Sequence, residues 1–160
     1  MLSFRLRTVP PDELLNSRLY DEKTFYKAFL HDLKRCRKEI IIESPYITTP
    51  RLATLLPVLR KVVDRGVRVR VNTRNPGHHD ELLRIQAWQS VKQLRRAHVQ
   101  VKFLNDYNHR KIALLDGRIL WEGSLNILSQ SNSREIMRRI ESEQLAKQMD
   151  CFLKLHRFYW

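Results

Sequence analysis

HRKIALLDGRILWEGSLN, residues 109–126, decides how the rest of the chain is read. Apolar residues alternate on both sides of Asp116-Gly117, with Ile112 and Leu114 before the pair and Ile119 and Trp121 after it. A period of two on each side of Asp-Gly predicts a strand, a tight turn and a second strand. Side chains along a strand face alternately, so His109, Lys111 and Ala113 are expected on one face. Ile112 and Leu114 should take the other, and Arg110 should point away from His109. An imidazole and an ammonium side by side on a rigid strand can meet a phosphate. Lys111 supplies fixed positive charge, while His109 titrates near neutrality and can attack or move a proton.

Outward from that hairpin, strands and helices alternate. Upstream, Phe25, Ala28, Phe29, Leu33 and Cys36 recur at helical spacing between Lys23 and Lys38. Ile40-Ile41-Ile42 reads as a buried strand running into Glu43-Ser44-Pro45-Tyr46. Thr49-Pro50 starts a helix with a capping hydroxyl and an early proline. Leu52, Leu55, Leu56, Leu59, Val62 and Val63 continue it to Gly66. Pro57 conflicts with one unbroken helix, so a kink or a second helix is expected there. Val67, Val69 and Val71 predict a strand, residues 80–96 a helix through Leu83, Ala87, Val91 and Leu94, and Val99, Val101 and Phe103 another strand. Downstream, Glu135-Ile136-Met137 reads as a last strand. Leu145, Met149, Phe152, Leu153 and His156 read as a closing helix. The alternation predicts an α/β layered domain with a mixed sheet flanked by helices, spanning 1–160 as a single domain. Residues 1–11 read as a short extended arm.

Thirty Lys and Arg against seventeen Asp and Glu leave a net charge of +13. That excess says nothing of fold but points to polyanionic partners, either nucleic acid or an anionic membrane surface. No apolar run approaches a membrane span, so no integral membrane association is expected. The start MLSFRLRTVPP has arginines where a secretory signal needs its apolar centre; an organellar leader is the alternative to a cytoplasmic location. Cys36 and Cys151 lack metal-like spacing and read as buried, unpaired thiols in a reducing compartment. Gly77-His78-His79-Asp80 reads as a helix start capped by Asp80 rather than a metal centre. Phe158-Tyr159-Trp160 is expected to pack on the core or an interface.

His109, Lys111, Asp116, Gly123, Ser124 and Asn126 form the frame H-x-K-x4-D-x6-G-S-x-N. That frame closely resembles the HKD signature of the phospholipase D superfamily, and the remainder of the chain resembles it in outline. The resemblance implies a phospholipase D-like fold and an active site built from two such motifs. This sequence has one, because His31, His78, His79, His98 and His156 lack a lysine two residues on. A homodimer sharing one site is therefore implied.

In that site the family's chemistry implies attack of His109 on phosphorus to give a phosphohistidine. His109 of the partner subunit would protonate the leaving oxygen and then activate water. Lys111, Ser124 and Asn126 would bind the substrate's non-bridging oxygens, with no metal and no cofactor. Asp116 is a candidate through its place in the motif, although a structural role opening the Asp-Gly turn is the stronger reading. Glu135 is expected to hydrogen-bond the far nitrogen of His109, with a surface ion pair to Arg134 or Arg138 as the alternative.

Family membership alone does not choose the substrate. The charge suits a polyanionic polymer, and the resemblance to small single-motif members of the family implies a metal-independent endonuclease acting on DNA, or alternatively RNA, alone or as part of a larger nucleic-acid-processing system. The competing readings are a lipid phosphodiesterase and a catalytically silent nucleic-acid-binding module. Arg68, Arg70, Arg74, Lys92, Arg95, Arg96, Arg110, Arg134, Arg138 and Arg139 are the candidate groove cations.

Overall fold

A computed structural model describes residues 16–129 and 132–156. The chain runs β1 (Ser17–Asp21), α1 (Phe25–Arg35), β2 (Glu39–Glu43), α2 (Thr49–Asp64), β3 (Arg68–Arg74), a 3-10 turn (Pro76–His78) and α3 (Glu81–Arg96). It continues through β4 (Gln100–Leu104), β5 (Ile112–Leu115), β6 (Ile119–Gly123), β7 (Ile136–Glu141) and α4 (Glu143–Leu153). The strands make one mixed seven-stranded sheet in the order β1-β7-β6-β5-β2-β3-β4. β2, β3 and β4 are parallel, and the other pairings are antiparallel.

The period-two pattern sorts the strand side chains onto two faces. Ile40, Ile42, Val69, Val71, Ala113, Leu115 and Trp121 face one core with Phe25, Phe29 and Leu33 of α1 and Leu52, Leu55 and Leu59 of α2. Trp121 is fully buried there, edge-on to Phe25 and Phe29 at ring-centroid distances of 5.2 and 6.0 Å. Its indole N–H donates to Asp32 at 3.0 Å, and Arg139 donates to the same carboxylate at 2.7 Å, so the buried charge is paired. Ile41, Ile112, Leu114, Leu120 and Ile140 face the other way and are covered by Ala146 of α4 and by Leu155.

Several expectations are corrected. α2 runs unbroken through Pro57. Its six buried Leu and Val side chains, each worth about 1.5–3 kcal/mol, outweigh the roughly 3 kcal/mol cost of an interior proline. Pro57 and Ala53, whose carbonyl loses its donor, both lie exposed, where water can serve instead. β5 begins at Ile112, so His109 and Lys111 precede the strand rather than sit on it. β7 starts one residue later than Glu135 and extends to Glu141. Cys151 is exposed on α4, while Cys36 is buried. β1 has no counterpart in the sequence reading: Ser-Arg-Leu-Tyr-Asp is too short and polar to show a period, and among the described residues it is an edge strand paired only with β7. The arm at 1–11 and the Phe158-Tyr159-Trp160 end lie outside the described residues.

Candidate active site

One edge of the sheet gathers the ends of β2, β3, β4 and β6 and the starts of β5 and β7, as the registers of Glu43 with Ile112, Ile112 with Glu122 and Gly123 with Met137 require. Crevices outside the carboxyl ends of parallel strands are where α/β sheets bind ligands. His109, Lys111, Ser124, Asn126 and Glu135 all lie at this edge.

Lys111 Nζ lies 2.5 Å from both Nδ1 and the carbonyl oxygen of His109, so the ammonium is folded onto the imidazole. Partial burial, with Lys111 and Arg74 nearby, holds the His109 pKa below the usual histidine value. Burial also lowers Lys111, opposed by the charge of Glu135. The Tyr46 ring stands edge-on to His109, with centroids 6.0 Å apart, and tilts against His79 at 5.3 Å. Arg74 Nη1 donates to the Tyr46 hydroxyl at 3.2 Å, and its guanidinium also lies over the exposed Tyr107 ring, 5.6 Å from the centroid.

The Gly-Ser-x-Asn segment is built by close approach of β6 to β7. A Cβ on Gly123 would stand 2.2 Å from the Ile136 carbonyl oxygen and 2.9 Å from Met137 Cα, so no larger residue fits without moving backbone. Ser124 N–H then donates to Ile136 O at 2.9 Å, and Ile136 N–H donates to Ser124 Oγ at 3.1 Å. The following turn is pinned from elsewhere: Tyr26 donates its hydroxyl to Ile127 O at 3.0 Å, and Leu128 N–H donates to Ser44 Oγ at 3.2 Å. Among the described residues, Asn126 Oδ1 is buried without a hydrogen-bond partner.

Glu135 is not hydrogen-bonded to His109. Ser133 Oγ donates to its carboxylate at 2.6 Å. Its pKa is lowered by hydrogen bonds from Ser124 and Ser133 and by the charge of Lys111. Ser133 and Ser124 turn the carboxylate toward the ammonium instead of the ring. Asp116 is remote from the cluster, at the far end of β5. Its carboxylate accepts the backbone N–H groups of Arg37, Lys38 and Glu39 at 2.9, 2.8 and 3.0 Å, which ties the α1–β2 connection to the β5–β6 turn. Asp116 and Gly117 both have positive φ, 52° and 65°, as a type I′ hairpin needs. Lys111, Glu135 and Ser124 are thus linked to His109, Asn126 stands two residues beyond Ser124 at the same edge, and Asp116 is left to the fold.

Tyr46, Arg74, Tyr107 and Glu43 complete the edge. Only Arg74 stood among the sequence candidates, as a groove cation. Their signal is three-dimensional, since they come from the ends of β2 and β3 and from the loop after β4. Arg110 stays at this edge on Glu43, while four of the other expected cations turn elsewhere. Arg139 turns to Asp32, Arg138 to Ser17, Arg70 to the Leu155 carbonyl and Arg68 to Glu39. Asp80 caps α3 by accepting the Leu83 N–H at 3.0 Å. Among the described residues, no three His, Cys, Asp or Glu side chains gather to hold a metal. A concavity of about 2010 Å³ opens at the opposite edge around Asp116, Lys27 and Arg37 and contains none of His109, Lys111, Ser124, Asn126 and Glu135.

Comparison with known proteins shows the family and the fold. A family model described as "Cardiolipin synthase, PLD-like domain" matches residues 29–156. A cardiolipin synthase of Oceanobacillus iheyensis is 31% identical over 119 residues, covering 67% of this chain but 24% of that protein, so the chain spans about a quarter of this curated relative. Among solved structures, Nuc of Salmonella typhimurium, a phospholipase D family member, superposes with a TM-score of 0.72 at 15% identity, over 90% of this chain and 93% of that one. NucT from Helicobacter pylori gives 0.64 at 16% identity, over 86% and 92%. At such identities the two structures speak for the fold alone.

Proposed function

The chain belongs to the phospholipase D superfamily, and from that premise we propose that it is a phosphodiesterase of nucleic acid whose site is completed by a second copy of itself. The observation that carries this reading is the contact of Lys111 Nζ with His109 Nδ1 at the sheet edge, around an imidazole held below its usual pKa. A depressed pKa keeps the ring neutral, and a neutral ring nitrogen is the nucleophile the reaction needs. An arriving phosphate offers its non-bridging oxygens to Lys111, which leaves Nδ1 for them and frees the ring to turn its lone pair to phosphorus. The bond from His109 nitrogen to phosphorus forms as the ester oxygen departs, taking a proton from His109 of the partner subunit. Water deprotonated by that same group then displaces His109 from phosphorus and restores the enzyme. Ser124 and the Asn126 amide hold the equatorial oxygens, with Glu135 keeping Lys111 charged and oriented.

Net charge supports a polymer of phosphates as the substrate, since a chain of +13 releases counterions from such a polymer on binding. Arg74 and the exposed Tyr107 suit it too, because a guanidinium beside a free aromatic ring serves both phosphate and base. A second reading, hydrolysis or transfer at an anionic phospholipid, has its own support: the relative named cardiolipin synthase and the exposed Leu82, Ile85 and Trp88 along α3.

The deciding experiment incubates the purified protein, in chelator, with single- and double-stranded DNA, with RNA and with vesicles of phosphatidylglycerol and cardiolipin, each beside His109→Ala. Polynucleotide cleavage lost in the variant is expected. Headgroup release without strand cleavage overturns the nucleic-acid reading in favour of the lipid one, and binding without turnover of either overturns both.

A further inference from the structure

His109 needs an anchor that ladder pairing does not provide. β5 pairing begins at Ile112, so residues 109–111 lie outside the ladder, at the end of a loop from Asn105. A nucleophile displaced by about 1 Å loses about a hundredfold in rate, so something must fix this stretch. The backbone N–H groups beside His109 bond only locally: Asn108 N–H donates to Asp106 Oδ1 at 3.2 Å, and Arg110 N–H to Asn108 Oδ1 at 3.0 Å.

One long-range carboxylate takes up both neighbours of His109. Glu43, at the last position of β2 and 1% exposed, accepts Asn108 Nδ2 at 2.7 Å and Arg110 Nε at 2.5 Å through its Oε1. Its Oε2 accepts Asn72 Nδ2 at 3.2 Å from the adjoining strand. The residues before and after His109 are thus drawn inward to a buried anion on a central strand. We propose that Glu43 is a positioning residue: it holds His109 in reach of phosphorus by gripping Asn108 and Arg110 on either side, without touching the substrate. The inference rests on reading His109 as the nucleophile. It predicts that a charge at the end of β2, 65 and 67 residues distant in sequence from its two partners, governs turnover rather than affinity.

The test uses the whole chain and bis(4-nitrophenyl) phosphate, a small diester that no groove residue need bind. Glu43→Gln keeps the shape and removes the charge; it is expected to lower kcat about a hundredfold and leave KM within about twofold. Arg110→Gln removes one arm of the grip and should lower kcat about tenfold, and the double variant should be no worse than Glu43→Gln alone. His109→Gly rescued by free imidazole separates positioning from general damage. A diffusing ring needs no tether, so adding Glu43→Gln should leave the rescued rate unchanged, whereas loss of rescue in proportion overturns the proposal. Amide hydrogen exchange reads the grip without turnover. Exchange at Asn108 and Arg110 should quicken about tenfold in Glu43→Gln, and unchanged exchange in a folded variant overturns the proposal even if the diester is never cleaved. An inert wild type with the quickened exchange would instead count against the phosphodiesterase reading and keep the grip.

Discussion

A histidine that attacks phosphorus must be unprotonated when substrate arrives, and the surroundings of His109 favour that state. Desolvation and the charges of Lys111 and Arg74 all oppose its protonation. The acid limb of kcat/KM set by this ring therefore belongs below the ordinary histidine value of about 6.5. Arg74→Leu removes one opposing charge, so the limb should move up in pH; a limb that stays put or falls would contradict the assignment. Gly123 is constrained by space, with the Ile136 carbonyl 2.2 Å from where a Cβ would stand. Gly123→Ala should cost about 1–3 kcal/mol, seen as a lower Tm, and should disturb Ser124 enough to reduce kcat. The sequence announces His109, Lys111 and Ser124 because their spacing is local. It hides Tyr46 and Glu43, which reach the site only when β2 is laid beside β5.

At the scale of elements, the β5–β6 hairpin is where sequence and structure agree best and also where one motif residue changes meaning. Alternation and Asp-Gly specify the turn, and the turn carries Asp116 away from the reactive edge to three backbone N–H groups at the start of β2. Asp116→Ala should thus lower stability by about 2–3 kcal/mol, since hydrogen bonds to charged groups are worth about 1.5–3 kcal/mol each and water recovers part of the loss. The kcat of the folded fraction should match wild type; a selective fall in kcat at unchanged Tm would return Asp116 to the chemistry. Helices α1 to α4 are legible because their apolar stripes are long. β1 is not, since five residues at a sheet edge carry no usable period. The strand expected under His109 fails for a related reason: apolar alternation starts only at Ile112, and ladder pairing starts with it.

For the whole molecule, the charge excess is not centred on the edge that carries His109: nine Lys and Arg side chains line the concavity at the opposite edge. Arg139, Arg138, Arg110 and Arg70 are engaged by protein groups. Binding to DNA should still weaken steeply with salt, with a log–log slope of about −0.9 for each phosphate neutralised. A flat response, measured by fluorescence anisotropy from low to high salt, would remove nucleic acid from consideration. On the proposed mechanism Lys111, Ser124 and Asn126 stabilise the charge, so cleavage should continue in chelator; abolition by chelation with recovery on adding a divalent ion would contradict the histidine mechanism. Pairing of two copies should appear as loss of specific activity on dilution.

The two thiols differ in a way that makes this last question approachable. Burial pushes the Cys36 thiol up to about 12, helped by the charges of Asp116 and Asp32, so it stays unreactive in the folded state. Cys151 lies open on α4. A maleimide spin label added to the unaltered protein should therefore attach at one position per subunit. Pulsed electron resonance would then return a single inter-label distance from any symmetric pair, and none from a solitary chain.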